Sequence, residues 1–306
     1  MNDLLICVPC RFHSTRLPGK PLLKINELSI INHVYLNILK INGVCGENIV
    51  FLTDDKRIYD EVTGFGGFCY ISDDYCENGT YRIIDYMEKN KINKKYVLNI
   101  QGDEPFFDFK KVENLIGFYL DEHGRNNNVK CGTLFYVNDD YKYVSNKNRV
   151  KLVINRQNYV MYGSRSVIPG SKKNIEAIVN NEKLMNLIEN ETGKNDVTKM
   201  NDYLGSLMNN DNKNNKNNKK YEKEKKCSIE EKIKYKIHIG IFIFDTEYLM
   251  HEYVDVNTCY QTIEDLEWLK ILEQNYLIYA IQSHQFEVGV DTLEDYNYLK
   301  NKHEIL

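Results

Sequence analysis

The feature that most constrains the fold is an alternation, through the first hundred residues, of short apolar runs with segments of helical periodicity. Residues 4–8 form an apolar run, followed by a polar loop to Leu23 and an apolar-periodic stretch at 30–41. This reads as strand, loop, helix. Residues 49–53 make a second strand ending at Asp54-Asp55, 59–64 a short helix, 68–72 a third strand and 80–90 a helix. A buried strand at 96–100 then stops at Gln101-Gly102-Asp103-Glu104-Pro105. Strands that alternate with helices require right-handed crossovers and a mostly parallel sheet flanked by helices. The loops after the strand C-termini then share one edge, which is where a ligand binds.

Beyond a helix at 109–123 the pattern changes to longer alternating segments at 130–137, 150–154 and 159–164, which predict an antiparallel hairpin region. Apolar periodicity is lost from about 171 to 234 and returns in a strand at 237–244, a helix at 263–273, a strand at 279–282 and a last helix at 293–302. The chain of 306 residues is therefore read as one α/β domain over 1–306, interrupted by a low-complexity insertion at about 171–234. Within it, residues 209–226 read NNDNKNNKNNKKYEKEKK, where seven Lys oppose one Asp and two Glu for a local +4. With a net charge of −4 overall, the rest of the chain carries −8, which argues against a nucleic-acid partner. The tract itself lacks interleaved aromatics and reads as a solvated loop rather than an RNA- or lipid-binding segment.

No apolar run is long enough to span a membrane, and the first strand begins by Leu4, so neither a membrane segment nor a leader peptide is expected. The eight cysteines are scattered and suggest a reducing, cytoplasmic setting. Cys7-x-x-Cys10 begins inside an apolar strand and has no second pair at zinc spacing, so both are read as strand and loop residues.

The chemistry concentrates after the first strand, in Arg11-Phe12-His13-Ser14-Thr15-Arg16-Leu17-Pro18-Gly19-Lys20-Pro21-Leu22. Three cations and two hydroxyls on a loop stiffened by Pro and Gly suit a triphosphate, whose charge must be met by many donors at once. The spacing is not that of a Walker loop.

This stretch resembles the opening loop of the CMP-KDO synthetase family, the 3-deoxy-manno-octulosonate cytidylyltransferases, which has the form R-x-x-S-T-R-L-P-G-K-P-L. The resemblance continues in order through Thr53-Asp54-Asp55-Lys56-Arg57-Ile58, Asn99-Ile100-Gln101-Gly102-Asp103-Glu104-Pro105 and Ser164-Arg165-Ser166-Val167-Ile168-Pro169. It ends in His238-Ile239-Gly240-Ile241 and Gly289-Val290-Asp291-Thr292. It implies a nucleotide-diphospho-sugar transferase-like α/β fold, a homodimer, and transfer of CMP from CTP to the anomeric hydroxyl of an acidic sugar with Mg2+ as cofactor. It assigns Asp103 and Asp291 to the metal, two carboxylates far apart in the chain, each expected at a strand end and suited as hard oxygen donors to magnesium, and Lys20, Arg11 and Asp103 to catalysis. Arg11, Ser14, Lys20, Arg82 and Gln101 would contact the nucleotide. For the sugar acid it implies a carboxylate fork from Arg165, a donor from His238 and an acceptor from Glu267. On its residues alone, His238 also fits a core histidine between two strands.

The chain departs from the family pattern at defined places. S-G-T-D-R becomes Asn78-Gly79-Thr80-Tyr81-Arg82, Tyr75 stands where a histidine is usual, and Cys10 replaces alanine. E-x-L-E-Q-L-R becomes Glu264-Asp265-Leu266-Glu267-Trp268-Leu269-Lys270. Trp268 cannot reproduce the paired donor and acceptor of the glutamine it replaces. These departures motivate two other readings: a cytidylyltransferase for another ulosonic or sialic-acid-like sugar, and a non-catalytic nucleotide-binding relic.

Overall fold

The apolar strands pair as their alternation with helices requires, in a computed structural model that describes residues 2–14, 16–72, 76, 78–170, 234–254, 256, 258–284 and 289–304. In chain order the strands are β1 (Leu4–Pro9), β2 (Lys24–Ile25), β3 (Leu28–Ser29), β4 (Ile49–Thr53), β5 (Cys69–Ile71) and β6 (Tyr96–Ile100). They continue as β7 (Val129–Asn138), β8 (Lys151–Ile154), β9 (Val160–Ser164), β10 (Tyr235–Asp245) and β11 (Leu277–Gln282). The helices are α1 (Ile30–Ile38), α2 (Lys56–Gly64), α3 (Gly79–Lys89), α4 (Phe109–Arg125) and α5 (Tyr141–Val144), then α6 (Thr246–His251), α7 (Cys259–Glu264), α8 (Leu269–Glu273) and α9 (Leu293–His303).

The main sheet has the order β11-β7-β10-β6-β1-β4-β5. The strands β6, β1, β4 and β5 are parallel, and β11 is parallel to β7. Along this path β10 alone is reversed, pairing antiparallel with both β6 and β7. The mostly parallel sheet flanked by helices is therefore as expected. The expected hairpin region is smaller than its pattern suggested. β8 and β9 do form a hairpin against β10, but the alternating segment at 130–137 is β7, an interior strand of the main sheet.

Buried side chains explain the pairing. β1 and β4 are buried along their whole lengths, as central strands covered on both faces must be. α3 buries Ile83, Ile84, Tyr86 and Met87 into the large core that also holds Cys7, Leu52, Phe244 and Trp268. A smaller core of Ile25, Ile30, Val290 and Leu299, with Leu17 and Leu23 packed against it, pins the basic loop beside α9. This second core aligns Lys20 with Asp291, since Leu17 and Val290 flank those two residues in sequence.

One expected helix is divided. The segment 263–273 forms the end of α7 and then α8, because Asp265 takes a left-handed conformation with φ 51°. A turn is held there by Glu264, which accepts from the Arg165 backbone N–H at 2.9 Å and from Ser164 Oγ at 2.6 Å. The chain divides into a unit of Met1–Ile168 with Lys234–Leu306 and a second unit of Pro169–Ile233. The expected insertion, apart from Lys234, lies outside the described residues, as do Thr15 and Tyr75. Among the described residues no helix is long and apolar enough to cross a membrane.

Candidate active site

The C-terminal ends of β1 and β6 open onto a cavity of about 550 Å³, whose lining includes Arg11, Arg82, Gln101, His238, Glu267 and Trp268. A second cavity of about 230 Å³ adjoins it, sharing Gln101, Arg165, His238 and Gly240 and adding Asp103, Glu104, Arg149 and Asp291. The sheet edge thus presents a larger chamber rich in donors and a smaller one carrying paired carboxylates.

The described residues of the basic loop are held at this edge by local contacts. Gly19, at φ +69°, donates to the Phe12 carbonyl at 2.9 Å and turns the chain into a short 3-10 helix at Lys20–Leu22. A side chain at Gly19 would be strained at that φ and would meet the Phe12 ring at 3.0 Å. Arg57 lies 3.3 Å over the centroid of the same ring, a cation–π contact that braces the loop against α2.

Lys20 Nζ hydrogen-bonds Asp103 Oδ2 and lies 3.5 Å from Asp291 Oδ1. Burial draws the Lys20 pKa down, but Asp103 and Asp291 more than offset this and hold it above the ordinary lysine range. The two predicted metal ligands are therefore brought to one place. Asp103 lies just beyond β6 as expected, whereas Asp291 is not at a strand end. It sits just before the N-cap Thr292 of α9, tied to the sheet by the Val290 N–H, which donates to the Asp103 carbonyl at 2.8 Å. The second cation on these carboxylates is Arg16, whose Nη2 is 3.1 Å from Asp291 Oδ1. Arg11 instead lines the larger chamber. The sequence carried the signal for Arg16 in the three spaced cations of its loop, but without a way to rank them.

Two other predicted residues, Arg82 and Arg165, line the chamber with their guanidinium donors already engaged. Arg82 is buried, with Nη2 2.7 Å from Asp54 Oδ2 and Nη1 bonded to Ser72 Oγ. It forms wall rather than reach. Arg165 donates from Nε to the Glu264 carbonyl at 2.8 Å and from Nη2 to the Asp265 carbonyl at 2.9 Å. Its guanidinium thus clamps the α7–α8 turn, and the expected free fork for a carboxylate is not available in this arrangement. Gln101 keeps a loose bond of 3.4 Å to Asn99 Oδ1 and faces both chambers. Ser14 is half-buried on the loop and donates its backbone N–H to the Phe12 carbonyl at 3.1 Å.

On the opposite wall, burial raises the Glu267 pKa while Thr80 in the first turn of α3 opposes that shift, and Glu267 Oε2 is buried without a hydrogen-bond partner among the described residues. An unsatisfied buried acceptor at a cavity wall is suited to a ligand hydroxyl. His238 departs from its expected role as a donor to the ligand, because its Nε2 is taken up by Thr133 Oγ1 at 2.9 Å. Trp268 is 4 % exposed and fills a notch at Gly163, where an added Cβ would come within 2.1 Å of its ring. It therefore replaces a polar group with packing.

The departures at 81 and 270 meet. Lys270, fully buried, donates to the Tyr81 hydroxyl at 2.8 Å and lies 5.1 Å and 4.5 Å from the Tyr81 and Tyr253 ring centroids. A cation that would otherwise be costly to bury is held by one hydroxyl and two ring faces. Cys7 and Cys10 are buried thiols whose pKa burial pushes upward, opposite to the lowered pKa of a redox motif.

A family model described as Cytidylyltransferase matches residues 5–284. The chain belongs to the cytidylyltransferase family. Among relatives of this cytidylyltransferase, the 3-deoxy-manno-octulosonate cytidylyltransferase of Fusobacterium nucleatum is 29% identical over 297 residues, covering 96% of this chain and 95% of the relative. That of Photobacterium profundum is 36% identical over 171 residues, covering 55% and 65%. A solved CMP:2-keto-3-deoxy-manno-octonic acid synthetase, complexed with CTP, superposes with a TM-score of 0.71 at 24% identity over 99% of both chains. The fold is thus that of the solved synthetase, and the basic loop and the carboxylate pair lie at the sheet edge that open α/β folds use for ligands.

Proposed function

We propose that this chain is a 3-deoxy-manno-octulosonate cytidylyltransferase, transferring CMP from CTP to the anomeric hydroxyl of the sugar acid with release of pyrophosphate. The observation that carries the reading is the convergence of Lys20, Arg16, Asp103 and Asp291 beside a chamber large enough for a nucleotide, in a chain similar along 96% of its length to an enzyme of that name. In the reaction the anomeric oxygen forms a bond to the α-phosphorus and gives up its proton to solvent, the bond from that phosphorus to the bridging oxygen breaks, and pyrophosphate departs with the electron pair. Such a displacement needs alignment and charge neutralisation more than covalent catalysis.

Each residue contributes accordingly. Lys20 and Arg16 neutralise phosphate charge at the mouth of the smaller chamber. Arg11 and Gln101 hold the nucleotide in the larger one, Gln101 offering both a donor and an acceptor to a pyrimidine edge. Glu267 accepts from a sugar hydroxyl. The carboxylates of Asp103 and Asp291 converge on the single ammonium of Lys20 and are hard oxygen donors, a set that fits Mg2+. Among the described residues no three acidic, His or Cys side chains gather to hold a metal, so phosphate oxygens would complete the shell around Asp103 and Asp291. Bound there, the ion would supply Lewis-acid polarisation of the phosphate. A homodimer and a cytosolic setting accompany the reading by analogy with the family.

The test is pyrophosphate release by the purified protein with CTP, Mg2+ and a panel of ulosonic acids, with Asp103→Ala as control. Release with 3-deoxy-manno-octulosonate that is lost in D103A supports the reading. Turnover only with another acid would instead favour a shifted specificity, for which Trp268 in place of an amide is the specific reason. No turnover with any acid would favour the relic.

A further inference from the structure

β10 departs from its register against β7 between Ile239 and Phe242, so that Gly240 and Ile241 stand at an irregularity beside the paired residue Thr133. The Ile241 carbonyl there lies 2.8 Å from Thr133 Oγ1, and His238 Nε2 lies 2.9 Å from the same oxygen. Thr133 is 1 % exposed, which leaves little room for water to join this arrangement. A hydroxyl has one proton, and a carbonyl can only accept. An oxygen pair at 2.8 Å with no proton between them would be repulsive, so the Thr133 proton points at Ile241. The Thr133 oxygen is then an acceptor toward His238, and the proton of that second bond must come from Nε2.

A neutral imidazole carries a single proton, and with that proton on Nε2 the other nitrogen bears a lone pair. Burial pushes the His238 pKa down to about 3, so the ring stays neutral. Nδ1 makes no hydrogen bond among the described residues, and the ring lines both chambers. Phe242 and Trp268, with ring centroids 4.9 Å and 5.5 Å from that of His238, hold the ring's orientation.

We infer that Thr133 fixes His238 in the Nε2–H tautomer, so that His238 reads a ligand hydroxyl as an acceptor through Nδ1. The naming of that hydroxyl as one on the sugar acid rests on the function proposed above. Thr133 is a positioning residue: it touches no substrate and acts through the imidazole.

The experiment joins 15N spectroscopy of the histidine side chains, assigned with His238→Gln, to steady-state kinetics of Thr133→Val and Thr133→Ser. The unliganded protein should show a protonated Nε2 and an unprotonated Nδ1, a pattern kept in T133S and lost or mixed in T133V. T133V should lower kcat/KM for the sugar acid roughly tenfold, the scale of one misplaced hydrogen bond, with the KM for CTP unchanged, while T133S stays within about twofold because it keeps the hydroxyl. A proton on Nδ1 in the unliganded protein would overturn the inference, as would equal losses for CTP and sugar acid in T133V. The spectrum is independent of turnover, so an inactive protein would count against the proposed function while the tautomer was still decided.

Discussion

Lys20 illustrates how one side chain can hold a site in readiness. Its ammonium satisfies two carboxylates that would otherwise repel each other across the smaller chamber, at a point where only 11 % of the side chain is exposed. Replacing it with Met should lower kcat by roughly 10²- to 10³-fold, the typical effect of losing one preorganised charge-stabilising donor. Pyrophosphate release at saturating CTP measures it, and a loss under tenfold would place phosphate binding on Arg16 instead. His238 makes a prediction about pH. Its folded pKa of about 3 lies below the ordinary 6.5, so below pH 6.5 the unfolded chain takes up a proton that the native chain refuses. Stability is therefore full above 6.5 and is lost as pH falls toward 3, at up to about 1.4 kcal/mol per pH unit from this group. Urea midpoints at pH 7 and 4.5 should show a larger loss for the wild-type chain than for His238→Gln; equal losses would mean that the ring is not buried neutral.

Between elements, the contact that most affects the site joins the first turn of α3 to α8 through Tyr81 and Lys270. α3 presents Gly79 and Arg82 to the chamber, and the segment leading into α8 presents Glu267 and Trp268. A tie between them joins the two walls of this chamber. The carboxylate that the family pattern has at 81 and the arginine at 270 are both changed, and the replacements still bond to one another. The substitutions read as a matched pair rather than as separate losses. Tyr81→Phe and Lys270→Met should therefore be non-additive, with a coupling of about 0.5–3 kcal/mol in urea unfolding for residues in direct contact. Additive effects would show that the two positions do not share an interaction.

At the scale of the molecule, the β8–β9 hairpin sets the spacing between the chain leaving β9 and the chain entering β10. Leu152 of β8 pairs with Gly163 on one side and with Lys236 on the other. The chain that leaves β9 and the chain that enters β10 are thus two strand spacings apart, roughly 10 Å. A loop of about six residues spans that distance, so replacing residues 171–233 with a short Gly/Ser linker should preserve the fold of the main unit. Circular dichroism would show a cooperative melt, and loss of cooperativity would mean that the main unit depends on residues 171–233.

Much of this architecture was legible in the sequence. The strands β1 and β4 are apolar runs and β6 is one interrupted at Asn99, and such runs state their own burial. The loops after them hold Arg11, Lys20 and Gln101, so the alternation placed those residues at one sheet edge before any contact was known. Collinear motifs likewise indicated Asp103 and Asp291 as partners. What the sequence left open was which polar groups remain available to a ligand. Arg165 and Arg82 carry the right chemistry but are held by the turn at Glu264-Asp265 and by Asp54 and Ser72. The bond between Lys270 and Tyr81 spans 189 residues, and that between Thr133 and His238 spans 105. Periodicity reports the local face on which a side chain lies, because backbone geometry repeats every two or 3.6 residues. The partner it finds depends on how distant strands and turns stack, and only the tertiary structure decided that the Thr133 hydroxyl would set the proton on His238.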